Sequence, residues 1–191
     1  MNSATTIAAI STAHGKSAIG IVRVSGNNVK KIVKSHLSVD LSPRIATNTK
    51  FVDNDGKPID DVIAIFYPHP NSYTGEDMLE IQCHGNPVIL DYVLSVLCDK
   101  HAVHSQPGEF TERAFLNNKI DLTQAEAVAD IINATNINAS KAAFSSLQGG
   151  FSLKVESSAN ELLSLRAIIE AYINFPEDDS PSITKTKTKI L

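Results

Sequence analysis

The run Pro107–Ala127 divides this chain into two parts of different character. Before it, short β-rich stretches alternate with amphipathic ones. After it, no strand signal occurs from Thr123 to Phe175. The run itself holds a turn glycine, Gly108, and a short helical stretch at 109–116. Thr123-Gln124-Ala125-Glu126 follows with the spacing of a capping box, in which threonine and glutamate satisfy each other's free N–H groups. Such local structure needs only a turn residue, a cap and an apolar stripe. Glu109, Glu112, Arg113, Asn117, Asn118, Lys119 and Asp121 add a dense polar array beyond that need.

In the first part, Ile19–Val24 reads as a strand and Gly26-Asn27 as a turn or cap. Val29, Ile32, Val33 and Leu37 fall at helical spacing and predict a helix over 28–37. Asp53-Asn54-Asp55-Gly56 is a hairpin turn signal. Val62–Tyr67 reads as a strand stopped by Pro68 and Pro70, and Met78–Cys83 as another. Ile89, Leu90, Val93, Leu94 and Leu97 mark a second helix. Strands interleaved with two helices indicate an α+β or α/β layered domain. In the second part, Ala125, Val128, Ala129 and Ile132 predict one helical stripe. Leu162, Leu165, Ile169 and Tyr172 predict a second, stopped by Pro176. A helix pair this long needs something to pack on. The helical part is therefore expected to be incomplete, with its partner helices missing or supplied by another molecule. The Lys/Thr-rich end around Lys185, Lys187 and Lys189 is expected to be flexible, with an edge strand as the alternative its alternation allows.

A chain of 191 residues can bury an ordinary core without staples. Its net charge of -4 provides no global attraction to nucleic acid. Cys83 and Cys98 are too few for a disulfide framework and fit a reducing cytosol. No basic, apolar leader opens the sequence, and no segment approaches the roughly 18 apolar residues of a membrane span, so a cytoplasmic protein is expected.

Two features mimic sites. Gly15-Lys16-Ser17 resembles the end of a phosphate-binding loop, but Ile10 stands where the motif requires glycine, and a strand follows instead of a helix. Cys83, His84, Cys98, His101 and His104 suggest a metal cluster on paper. Adjacent residues of a strand point to opposite faces, and none of the spacings fits a C-x-x-C site. Neither a nucleophile–base pair nor a catalytic acid is marked.

Three residues could carry binding chemistry. Alternation places Arg23 on one strand face with Ile19 and Ile21, where a charge must be paired or reach a cleft. It is either a strand-end arginine reaching water or a contact to an anion or ring. Glu80 shares a face with Met78 and Gln82. That face is either solvated, or it aims a carboxylate into a pocket where paired N–H donors of a planar heterocycle could meet it. Lys119, between a short helix and the Thr123 cap, reads alone as a surface lysine.

The run Pro107–Ala127 closely resembles a motif of the tRNA-modification GTPases of the MnmE (TrmE) family. Pro70–Asp77 resembles the family's loop, Glu80 and His84-Gly85 follow at its spacing, and Ile19–Gly26 resembles its first strand and turn. Leu147-Gln148-Gly149 and Asn174-Phe175-Pro176-Glu177 resemble later marks, so the likeness runs from about Thr6 to about Asp178. It implies an α+β fold: a mixed β-sheet domain with packed helices, similar to the folate-binding domain of glycine-cleavage T-proteins, then an incomplete all-α segment. The implied bounds are 1–118 for a folate-binding and dimerisation domain, 119–178 for the start of the helical domain and 179–191 for the tail.

The resemblance also carries the family's folate contacts onto Arg23, Glu80 and Lys119. The implied cofactor is a one-carbon tetrahydrofolate, either 5-formyl or 5,10-methylene. The implied assembly is a homodimer that works with an FAD-containing partner, MnmG or GidA, on the wobble uridine of tRNA. GTP, magnesium and potassium would belong to a GTPase domain whose phosphate-loop motif does not occur in these residues. Two rivals stay open: a dimerisation and docking module with a degenerate folate site, and a free-standing one-carbon transferase.

Overall fold

The computed structural model describes residues 5–174. The tail 179–191, the Pro176 helix stop and most of the Asn174–Glu177 mark lie outside the described residues. The chain divides into two compact units, Met1–Asp121 and Leu122–Leu191.

The first unit is a six-stranded mixed sheet with helices, an α+β architecture. In chain order it contains β1 (Ile7–Ile10), β2 (Ile19–Ser25), α1 (Val29–His36), β3 (Thr47–Val52), β4 (Pro58–Tyr67), β5 (Met78–His84), α2 (Pro87–Lys100), β6 (Val103–His104) and α3 (Glu109–Leu116). The sheet order is β3-β4-β5-β2-β1-β6. All neighbours are antiparallel except β1 and β6.

Local chemistry sets these elements. The turn at Asp53–Gly56 closes the β3–β4 hairpin. Asp53 Oδ1 accepts from the N–H groups of Asp55 and Lys57, both at 2.9 Å, and Gly56 takes the φ of 78° the turn needs. Helix α2 starts with Pro87 after Asn86, whose side chain accepts from Val88 N–H at 3.0 Å.

Period-two alternation turns Val22, Val24, Leu79, Ile81, Val62 and Ala64 to one face, buried against Val29 and Ile32 of α1 and Leu90, Val93 and Leu97 of α2. The opposite face holds Ile21, Arg23, Glu80 and Tyr67, half-buried, and Ile63, more exposed. The helices thus fill one side of the sheet with apolar core. The other side carries the polar side chains discussed below.

The second unit has three helices where two were expected: α4 (Leu122–Asn133), α5 (Ile137–Leu147) and α6 (Gly150–Asn174). The missed break is at Asn136, which caps α5 by accepting from Ala139 N–H at 2.9 Å. Asn133, Thr135, Asn136 and Asn138 are all polar residues able to cap, so nothing local singles out Asn136. The Thr123 capping box is also corrected. Helix α4 begins at Leu122, so Thr123 lies inside the first turn, and its hydroxyl meets that of Ser152. The inward face of α4 is correspondingly rotated: Ala127 is buried, whereas Ile132 is 77% exposed. No residue of α6 is buried, and Leu162 is 66% exposed, so among the described residues that apolar stripe has no full cover.

Candidate functional site

Antiparallel pairing of β2 with β5 puts Arg23 directly opposite Glu80. Both project from the open sheet face, and directly opposed side chains on one face meet. Arg23 donates to Glu80 Oε1 through Nε at 3.0 Å and Nη2 at 2.8 Å. The Tyr67 hydroxyl donates to Oε2 at 3.2 Å. Burial pushes the Tyr67 phenol up, and the adjacent Glu80 carboxylate adds to the shift. The guanidinium also lies 5.8 Å from the Tyr73 ring centre and 5.9 Å from that of Phe110. Arg23 is therefore paired, and one Glu80 oxygen already receives the forked N–H contact that a heterocycle would offer. A carboxylate has about four acceptor positions, so Oε2 retains one.

The loop between β4 and β5, 68–77, is held down by the polar residues of the Pro107–Ala127 run. Arg113 pairs with Glu76 at 3.1 Å and with Glu109 at 2.8 Å. Burial works against the charge of Arg113, but hydrogen bonds to Glu109 and Glu76 outweigh it and raise its pKa. Glu76 also accepts from Ser25 Oγ at 2.7 Å, and Ser25 is bonded to Thr74 at 2.6 Å with both residues fully buried. Asn117 Nδ2 donates to Thr74 O at 2.7 Å, and the Tyr73 hydroxyl meets Thr111 Oγ1 at 2.9 Å. Gly75, at φ 79°, lets the chain pass Asn117 and Lys119: a Cβ there would sit 3.2 Å from both side chains. Part of the run's surplus polarity, Arg113, Asn117 and Lys119, thus has a structural role, which is to fix this loop.

Beside the loop lies a cleft of about 350 Å³ lined by Arg44, Tyr67, Asn71, Ser72, Tyr73 and Lys119. Lys119 lies in it, with Nζ donating to Pro70 O at 3.1 Å. Arg23 and Glu80 do not line it. They stand behind Tyr67 and Tyr73, one hydrogen bond and one ring contact away. Arg44 is a cleft residue that sequence reasoning missed. Ser42-Pro43-Arg44 shows neither periodicity nor a motif, and no local signal could have found it.

The decoys resolve differently. Gly15-Lys16-Ser17 lies in the loop between β1 and β2, and Ser17 N–H bonds Gly85 O at 2.9 Å. A strand follows, so no helix start presents N–H groups to a phosphate there. Cys83 faces the core, where burial pushes its thiol up to about 12. His84, on the opposite face, is paired with Asp60 at 2.6 Å. Among the described residues no three His, Cys, Asp or Glu side chains are grouped to hold a metal ion. Nor is any described helix long and apolar enough to cross a membrane.

Fold and site together define a two-unit protein: an α+β domain with a tyrosine-lined, cationic cleft, and an all-helical unit after it. The chain belongs to the MnmE (TrmE) family. The family model described as the GTP-binding protein TrmE N-terminus matches residues 6–119, and the MnmE helical domain model matches residues 122–190. The chain is 48% identical over 184 residues to the tRNA modification GTPase MnmE of Coxiella burnetii, covering 96% of this chain and 40% of that protein. It is 48% identical over 174 residues to that of Pseudomonas syringae pv. syringae, covering 91% and 38%, and 43% identical over 174 residues to that of Neisseria meningitidis, covering 91% and 39%. It thus spans about two fifths of the length of these relatives.

Proposed function

We propose that this chain is the folate-binding and dimerising part of a cytoplasmic GTPase that modifies the wobble uridine of tRNA. The reading rests on family membership and on one observation. Glu80 keeps an acceptor position on Oε2, one hydrogen bond from Tyr67, and Tyr67 lines a cleft together with Tyr73, Arg44 and Lys119. The cleft volume lies within the usual range for small-molecule sites.

These residues suit a reduced folate. Glu80 would take a pterin N–H, the rings of Tyr67 and Tyr73 would flank the flat part of the ligand, and Lys119 would meet its anionic end. Arg23, already paired, serves to orient Glu80. When bound, the cofactor would supply a one-carbon unit that becomes the methylene joining an aminomethyl-type group to the uracil 5-position. GTP turnover, with its magnesium and potassium, and docking of the FAD-containing partner MnmG belong to the longer assembly.

Calorimetric titration with 5-formyltetrahydrofolate tests the reading. Glu80→Gln should weaken binding by about tenfold, the size of one lost charge-assisted hydrogen bond, while the thermal transition persists. Unchanged affinity removes Glu80 from the site. The double hydrogen bond from Arg23 to Oε1 favours a second reading, in which the face is a closed structural pair and the domain only assembles and docks. Saturable folate binding by the unmodified chain argues against that alternative, and no binding at all favours it.

A further inference from the structure

We infer that Arg44 is a second cationic arm of the cleft, which with Lys119 grips the carboxylates of the ligand's glutamate tail and makes the site selective for tail length. The inference rests on the folate reading above and deepens it. Arg44 and Lys119 line one cleft in which no carboxylate takes part. Neither forms an ion pair among the described residues. Two like charges sharing a hollow repel each other, and an anion placed between them reverses the sign.

Both heads are anchored on one loop. The Arg44 side chain donates through Nη2 to Asn71 O, and Lys119 donates to Pro70 O. These are consecutive residues, whose Cα atoms lie about 3.8 Å apart across a trans peptide. A guanidinium has five N–H donors and an ammonium three, so each head keeps donors after its backbone bond.

Arg44 itself is held at φ 60°, a conformation that residues with a side chain rarely adopt, and its N–H bonds Phe66 O at 2.7 Å. An exposed arginine kept in an unfavourable backbone geometry beside a cleft is the kind of outlier from which a ligand role can be argued. Arg23 cannot serve the tail, because Glu80 and two aromatic rings already surround it.

The test uses the full chain and three probes: 5-formyltetrahydrofolate with one glutamate, the same with three, and tetrahydropteroate with none. The variant is Arg44→Asn, since asparagine tolerates positive φ and the fold is kept. The unmodified chain should bind the triglutamate most tightly and the pteroate least. Arg44→Asn should reduce that spread by about tenfold or more, the scale of one charge-assisted contact. Equal losses for all three probes, or none, overturn the tail role while leaving the folate reading intact. A chain that binds none of the three refutes both.

Discussion

Arg113 and Glu76 meet at 3.1 Å with side chains 12% and 13% exposed, and they join α3 to the loop between β4 and β5. Removing one partner of such a pair leaves the other charged, buried and uncompensated. Arg113→Met should therefore destabilise the fold by about 3 kcal/mol in urea denaturation. Combined with Glu76→Gln, the loss should be smaller than the sum of the single changes. Strict additivity would show that the two residues stabilise the fold separately.

Gly85 and Gly20 offer a contrast between rigid and soft neighbours. A Cβ on Gly85 would overlap the backbone carbonyl of Ser17, which is fixed by the Ser17 N–H to Gly85 O bond. One on Gly20 would overlap the Leu90 side chain, at both methyls and Cγ, rather than backbone, and a side chain gives way more readily. Overpacking costs about 1–3 kcal/mol, so Gly85→Ala should fall near the upper end and Gly20→Ala near the lower. Denaturation midpoints that rank the two in reverse order would contradict this.

His101 predicts loss of stability in mild acid. Burial lowers its pKa first, and His36, Lys100 and Lys31 lower it further. The His36 ring meets it edge-on with centres 5.4 Å apart, and on its other side stacks on Phe51. As pH falls below the usual histidine value of about 6.5, the unfolded chain takes up the proton before the folded one. The His101 contribution is thus complete above that value and is lost as pH drops through the lower, folded-state value. Urea midpoints at neutral and mildly acidic pH should show the decline, and His101→Gln should make it shallower. An equal decline in the variant would assign the effect to other groups.

Cys83 should be inert. Its thiol is buried and pushed up to about 12, so almost no thiolate exists at neutral pH. Cys98, half-buried and with a thiol raised by burial and then by Asp99, should react slowly with a disulfide reagent. One thiol should titrate in the folded protein and two in denaturant. Fast reaction of both without denaturant would contradict the packing of β5 against α2.

Much of the site's chemistry was legible from residue order, but not its pairing. Alternation put Arg23 and Glu80 on strand faces, and the need to compensate a charge on an apolar face was visible at Arg23. That the two compensate each other was not visible, because they stand 57 positions apart and no local signal sets the register of β2 on β5. The dense polarity of the Pro107–Ala127 run was evident as an excess. Its use, clamping the loop at Thr74 and Glu76, depends on where α3 comes to rest.

The helical part was misread where energies are small. Caps differ by about 1 kcal/mol, so the start of α4 at Leu122 and the break before Asn136 could not be separated from neighbouring choices.

Residue order alone indicated three of the six strands, β2, β4 and β5, together with the two sheet-covering helices, the Asp53–Gly56 turn and the opposed facing of Cys83 and His84. Each depends on neighbours a few positions away, through backbone geometry and side-chain period. The gathering of Arg44, Tyr67, Tyr73 and Lys119 around one cleft depended on the packed fold. A side chain's period fixes the face it points from, whereas its company is set by strand order, register and the path of loops, which minimise the free energy of the whole domain.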